Sequence, residues 1–171
     1  MADETTIQQL KILTLGNDVL IQKAAPIQKI TPEYRRLAEA MINLMFEGKG
    51  VGLAGPQVGR MERIFVIADK NNQPSVFINP TIIATSDAQI HYEEGCLSLP
   101  GVWANILRPR SVTVQAWNEK GRPFTLDAHD MAARFIQHEN DHLNGVLFID
   151  RLSELKKKAV LAKYAKLSKK R

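Results

Sequence analysis

His138-Glu139-Asn140-Asp141-His142 lies within residues 129–144, a stretch whose apolar side chains recur at helical spacing before Gly145 stops it. Met131, Phe135, His138 and His142 stand at i, i+4, i+7 and i+11, so both histidines share one face, and that face turns inward. Imidazoles one helical turn apart can aim at a single ion about 2 Å from each nitrogen. Glu139, one step round, can reach a water on such an ion, where a general base belongs. Without a cation, the same residues read as two core histidines bonded to backbone beside a surface glutamate. Burying two rings and a carboxylate with no compensating charge is costly, which favours metal.

A third ligand must come from elsewhere. The metzincin pattern puts a histidine three residues past a glycine, but Gly145-Val146-Leu147 is followed by Phe148. Downstream of His142 the only glutamate is Glu154, nearer than glutamate-type zinc proteases place theirs. Upstream, the only thiol is Cys96, in Glu94-Gly95-Cys96-Leu97-Ser98. A lone cysteine otherwise reads as a small buried hydrophobe. One thiolate with two imidazoles suits zinc, iron(II), nickel or cobalt. A further stretch, Gly50-Val51-Gly52-Leu53-Ala54-Gly55-Pro56-Gln57, matches the dinucleotide-binding glycine fingerprint by letter. Its context is wrong, because it follows a helix and meets Pro56 at once, so no nucleotide cofactor is expected. Its glycines either form a connecting turn or let backbone approach a ligand, with Gln57 as a neutral donor.

Around these motifs, Thr31-Pro32-Glu33 opens a helix that carries Leu37, Met41, Leu44 and Met45 and stops at Gly48. Residues 63–69 and 75–83 read as strands joined by Asn71-Asn72-Gln73-Pro74. Residues 111–118 alternate through Val112, Val114 and Ala116, turn at Asn118-Glu119-Lys120-Gly121 and return through 122–127 as a hairpin. A third helix, capped by Ser153, carries the tail, with Leu155, Ala159 and Ala162 on one side. Strands clustered between helices predict an α+β fold with antiparallel β-sheets around the central helix that bears the two histidines, closed by a C-terminal helix.

The 171 residues allow one domain, 1–171, with its own core. No apolar run approaches the roughly 20 residues of a membrane span. The acidic start, Met1-Ala2-Asp3-Glu4, does not read as a secretory signal. A single cysteine suits a reducing cytoplasm. The net charge of +5 is uneven: residues 151–171 carry +8, and the rest carries −3. Such a run is either a solvated helix face or a basic surface for RNA or ribosome.

Three stretches, in this order, resemble the motifs of the peptide deformylase family: Gly50–Gln57, Glu94–Ser98, and Gln137-His138-Glu139-Asn140-Asp141-His142-Leu143. The resemblance spans about residues 10–152, including the Asn79-Pro80 step and the hairpin before the last motif. It implies removal of the formyl group from the methionine that starts newly made bacterial proteins, with iron(II) bound and other divalent ions able to substitute. On that reading Cys96, His138 and His142 are the metal ligands and Glu139 is the proton carrier. The Gln57 amide and the Leu97 backbone N–H face the oxyanion. The resemblance further implies that Val51, Gly52 and Gly95 hold an extended peptide; Met131 and Phe135 are candidates for the methionine pocket. Some members carry a basic C-terminal helix that binds the ribosome, which makes residues 153–171 a candidate for that contact. Gly55 stands where the family usually has alanine, which predicts a slightly looser loop, and Trp103 lies in a variable stretch at the site's edge. A zinc endopeptidase is the rival enzyme, opposed by Phe148 and Cys96, and a non-catalytic RNA- or ribosome-binding protein is the rival outside catalysis.

Overall fold

The computed structural model describes residues 10–170; Met1-Ala2-Asp3-Glu4 and Arg171 lie outside the described residues. In chain order the elements are α1 (Pro32–Glu47), β1 (Gly52–Ala54), β2 (Ile64–Ala68), β3 (Pro74–Thr85), β4 (Gln89–Gly95), β5 (Trp103–Pro109), β6 (Ser111–Trp117), β7 (Pro123–His129), α2 (Asp130–Leu143) and α3 (Glu154–Ser168). All strand pairs are antiparallel, in a five-stranded sheet of order β1-β2-β3-β6-β7 and a separate β4-β5 ribbon. This is the α+β arrangement the sequence predicts.

β2 shows why the core has two halves. All five of its residues are buried, and its side chains alternate between two partners. Ile64, Val66 and Ala68 pack with Leu37, Met41 and Met45 of α1. Phe65 and Ile67 point the other way, toward Ala133, Ile136 and Leu143 of α2, and Phe65 stacks on Phe77 of β3 at 4.7 Å. The histidine-bearing helix is thus held against one sheet face by its apolar side, which leaves its polar side for the β4-β5 ribbon.

The sequence-based boundaries shift at several points. Pro74, expected in the turn, begins β3; the Asp69 carboxylate builds that turn by accepting the Asn71 and Gln73 N–H groups, both at 2.8 Å. β7 runs on to His129, past the expected end at 127. Thr31 has the extended backbone of a cap, but its hydroxyl caps nothing. Ser153 does cap α3. The packing face of α3 differs from the one read from the sequence: Leu155 is 81% exposed and Ala159 and Ala162 are exposed, while Val160, Leu161, Tyr164 and Leu167 pack near Phe148, Ile149 and Leu99. Neither β1 nor the β4-β5 ribbon is among the elements that the sequence pattern predicts.

Gly145 ends α2 in the left-handed region (φ 70°), and a Cβ there would lie 2.5 Å from the Ile21 carbonyl oxygen. Both the backbone strain and an immovable backbone neighbour oppose any side chain. Gly145→Ala is expected to lower stability by about 2 kcal/mol or more in urea unfolding; an unchanged midpoint would contradict this packing.

Candidate metal centre

β4 ends at Gly95 and delivers Cys96 to the polar side of α2, where His138 and His142 lie one turn apart. The Cys96 Sγ and one nitrogen from each ring fall within 4.8 Å of one another, and Sγ is 3.3 Å from His142 Nε2. Donors around one tetrahedral ion with bonds of 2.0–2.3 Å stand roughly 3.4–3.8 Å apart, so little movement would close the set. Among the described residues this is the one such group. It borders a cavity of about 460 Å³ whose walls include Gly50–Gly52, Gly95, Trp103, Met131 and Phe135. Phe148, where a metzincin-type histidine would stand, is buried and lies against the His138 ring, 6.3 Å between centroids. Glu154 begins α3 and is not among the converging ligands.

The electrostatics fit a cation. Burial pulls the His138 imidazolium toward neutrality, but hydrogen bonds to Cys96 and Glu94 outweigh it and hold the pKa at about 10. Burial, then the charges of His138 and Arg108, push His142 well below its ordinary value. His138 thus holds a proton where anionic groups converge, the place a metal cation would take, and His142 is already neutral, as each ring must be when it binds an ion. The Glu94 carboxylate takes His138 Nδ1 at 3.0 Å, fixing that ring with its other nitrogen toward Cys96, the carboxylate–histidine arrangement common at metal sites. His142 Nδ1 and Glu139 Oε2 are buried with no partner.

Gln57, in the turn Gly55–Val58, is wholly buried and fully engaged. Its Oε1 accepts the Ala54 N–H at 2.9 Å, and its Nε2 donates to Ser98 Oγ at 3.0 Å and to Cys96 Sγ at 3.4 Å. The Ser98 N–H also donates to Sγ at 3.4 Å. The Leu97 N–H makes no backbone or side-chain hydrogen bond among the described residues. Two glycines are small for a reason other than ligand approach. A Cβ on Gly52 would collide with the Glu139 carboxylate, and one on Gly95 would lie 2.5 Å from Trp103 Nε1. At Gly55 a Cβ would lie 2.7 Å from the Arg60 carbonyl oxygen, so an alanine does not fit there without backbone movement.

A family profile described as polypeptide deformylase matches residues 9–158. The chain belongs to the peptide deformylase family. It is 48% identical over 155 residues to a peptide deformylase of Prochlorococcus marinus (strain NATL1A), covering 86% of this chain and 77% of that one. With a peptide deformylase of Treponema pallidum (strain Nichols) it shares 42% over 158 residues, covering 92% and 97%. A crystal structure of a peptide deformylase from Synechococcus elongatus in complex with actinonin superposes with a TM-score of 0.88 at 42% identity, covering 92% of this chain and 87% of that one.

Beneath the deformylase-type motifs lies a charge network that sequence reasoning missed. Glu94 accepts from Arg108 Nε (2.6 Å) and Nη2 (2.9 Å) and from Arg134 Nη1 (2.6 Å), and Asp141 accepts from Arg108 Nη1 (2.8 Å). All four side chains are buried. The available signal was Arg134, one turn before His138 among Ala133, Phe135 and Ile136: a guanidinium on an inward face needs an anion there. Glu94 is held below the ordinary carboxylate range: burial raises it, but the bonds to Arg108 and His138 outweigh that.

Glu139 goes the opposite way. Burial raises its pKa from 4.5 to about 7, with only partial relief from His138. A carboxyl whose pKa is higher folded than unfolded costs stability as pH rises from 4.5 to about 7, and the full cost persists above that. In metal-free protein, Glu139→Gln should therefore match wild type near pH 4.5 and exceed it by up to about 3 kcal/mol at pH 8. Urea unfolding across that range tests this, and a difference that does not change with pH would refute it.

Proposed function

We propose that this cavity is where the chain, as a member of the peptide deformylase family, removes the formyl group from the N-terminal formylmethionine of newly synthesised proteins, acting as one domain over residues 1–171. The observation that carries the reading is the meeting of one thiol and two imidazoles beside a buried carboxylate with a free oxygen. Cys96, His138 and His142 would hold one divalent ion, a three-donor set that leaves a tetrahedral position open. When bound, that ion supplies Lewis acidity and lowers the pKa of water toward neutrality. Iron(II) is the proposed ion on the family resemblance, and zinc, nickel or cobalt suit the same donors.

The chain's own groups would do the rest. Glu139 takes the proton of the attacking water on its free Oε2 and passes it to the departing amine, a double role that a pKa near 7 suits. The Leu97 N–H and the Gln57 amide hydrogen that rests on Cys96 Sγ are the donors for the developing oxyanion. Val51, Gly52 and Gly95 border the cavity along the path assigned to an extended peptide, and Met131 and Phe135 offer partly buried apolar surface for the methionine side chain. The reaction belongs in the cytoplasm, where nascent chains emerge, and involves no membrane or nucleotide cofactor. No described helix is long and apolar enough to cross a membrane.

Iron-loaded protein prepared under argon should free the amine of a formylmethionyl peptide, leave its acetylated twin intact, lose activity in air and regain it with nickel. Equal turnover of both peptides defeats the function, and equal activity under air and argon defeats iron.

Residues 153–171 are the proposed ribosome contact. Because Val160, Leu161, Tyr164 and Leu167 face the body, Lys156, Lys158, Lys163 and Lys166 are displayed outward. Phosphate contacts predict strong salt dependence. Changing those four lysines to glutamine keeps the packing face, unlike truncation, and should abolish low-salt co-sedimentation with ribosomes. Unchanged co-sedimentation would remove the tail from consideration.

A further inference from the structure

The ion pairs under the metal ligands continue beyond α2. Asp141, next to His142 in sequence, accepts from Arg151 Nε on Oδ2 and from Arg151 Nη2 on Oδ1, both at 2.6 Å. Among the described residues Arg151 is the only partner of Oδ1, while Oδ2 is shared with Arg108 Nη1. Arg151 closes the turn Phe148–Arg151 that leads into α3, and Lys157 of α3 pairs with Asp150 of the same turn at 2.5 Å. An unbroken series therefore runs from the root of α3 inward: Arg151 to Asp141, Asp141 to Arg108, Arg108 to Glu94, Glu94 to His138 Nδ1.

The series is buried everywhere except at its outer end. The Arg151 side chain is 42% exposed, against 9% for Asp141 and 1% for Arg108. A planar guanidinium gripping both oxygens fixes the rotation of a carboxylate in a way that a single bond does not. With Asp141 fixed, Arg108 has one orientation that serves both Asp141 and Glu94, and Glu94 has one that serves Arg108, Arg134 and His138. Loosening the outer grip frees each member in turn.

We propose that Arg151 is a positioning residue for the metal centre, acting through Asp141, Arg108 and Glu94 on His138, so that the root of the C-terminal helix helps set how firmly the ion is held. This rests on the reading of Cys96, His138 and His142 as the ligands. Partners outside the ligand shell typically change metal affinity by about 10–100-fold, and a residue four ion pairs from His138 falls at the lower end.

The test uses the full chain loaded with Co²⁺, with affinity measured by competition against a chromogenic chelator and the cobalt–thiolate absorption recorded alongside. Arg151→Met is expected to bind Co²⁺ about 10-fold more weakly and to alter that absorption. On formylmethionyl peptide, kcat should fall while KM stays put. Arg151→Lys, which keeps the charge but not the two-point grip, should recover part of each effect. Wild-type affinity and spectrum in Arg151→Met would overturn the proposal even if its melting temperature dropped, since a merely structural arginine moves only the latter. Should Arg151→Met fail to fold, Arg151→Lys decides by the same readouts, and wild-type affinity there overturns the proposal. A wild-type protein whose cobalt spectrum lacks the thiolate band, or keeps it in Cys96→Ser, would instead bring down the ligand assignment itself.

Discussion

Glu94 is the pivot on which the site's geometry depends. One buried carboxylate on β4 binds Arg108 from β5 and both Arg134 and His138 from α2. Each of these groups would be intolerable alone in the interior, and removing one partner of such a set typically costs about 3–5 kcal/mol. The β4-β5 ribbon is thus docked onto α2 by charge, whereas the large sheet is docked onto the same helix by apolar packing. Because Cys96 follows Glu94 by two residues, the contact that orients the ribbon also sets where the sulfur lies. Ligand convergence is a consequence of charge neutralisation one turn away.

The same fact explains what the sequence did and did not make legible. α1, β3 and the β6-β7 hairpin could be read because apolar residues recur there at 3.6 or 2, β2 because it is one continuous apolar run, and α2 from Met131 and Phe135 at helical spacing before the stop at Gly145. Both histidines stood out for the opposite reason, as polar residues in register with Met131 and Phe135. β4 and β5 were illegible because the one buried residue of β4 is Glu94 and β5 buries Arg108 beside a single isoleucine, Ile106, and a buried ion pair is written in the same letters as a solvated surface. β1 is three residues long, and Gly52-Leu53-Ala54 becomes a strand only through pairing with Ile67, Val66 and Phe65. The resemblance to the family named the site residues, yet it did not reveal that Gly52 and Gly95 are small to admit Glu139 and Trp103.

α3 shows how far periodicity can mislead when an element is only half covered. Leu155, Ala159 and Ala162 make an acceptable apolar stripe by spacing. The chain instead enters α3 from a turn whose Phe148 and Ile149 are already buried, and the Lys157–Asp150 pair fixes the first turn of the helix against it. That entry angle brings Val160, Leu161, Tyr164 and Leu167 onto the body and sends Leu155 outward. The choice of face was made by tertiary geometry, since a stripe of two alanines and one leucine offers too little area to compete with it.

Glu94 and Glu139 are the same residue type packed around the same imidazole, and their acidities move in opposite directions. Glu94 is surrounded by donors and is held ionised. Glu139 presses against the bare Cα of Gly52, has one oxygen with no donor, and is pushed up to about 7. Both lie near His138, but only Glu94 takes hydrogen bonds, from the guanidiniums and from His138 Nδ1, whereas Glu139 feels His138 through its charge alone. Environments that drive two acids apart divide their roles, one a fixed anion and the other able to exchange a proton near neutrality. Gly52 matters to that division because its lack of a side chain leaves room for Oε1 against the backbone, so the carboxyl is buried without gaining a donor.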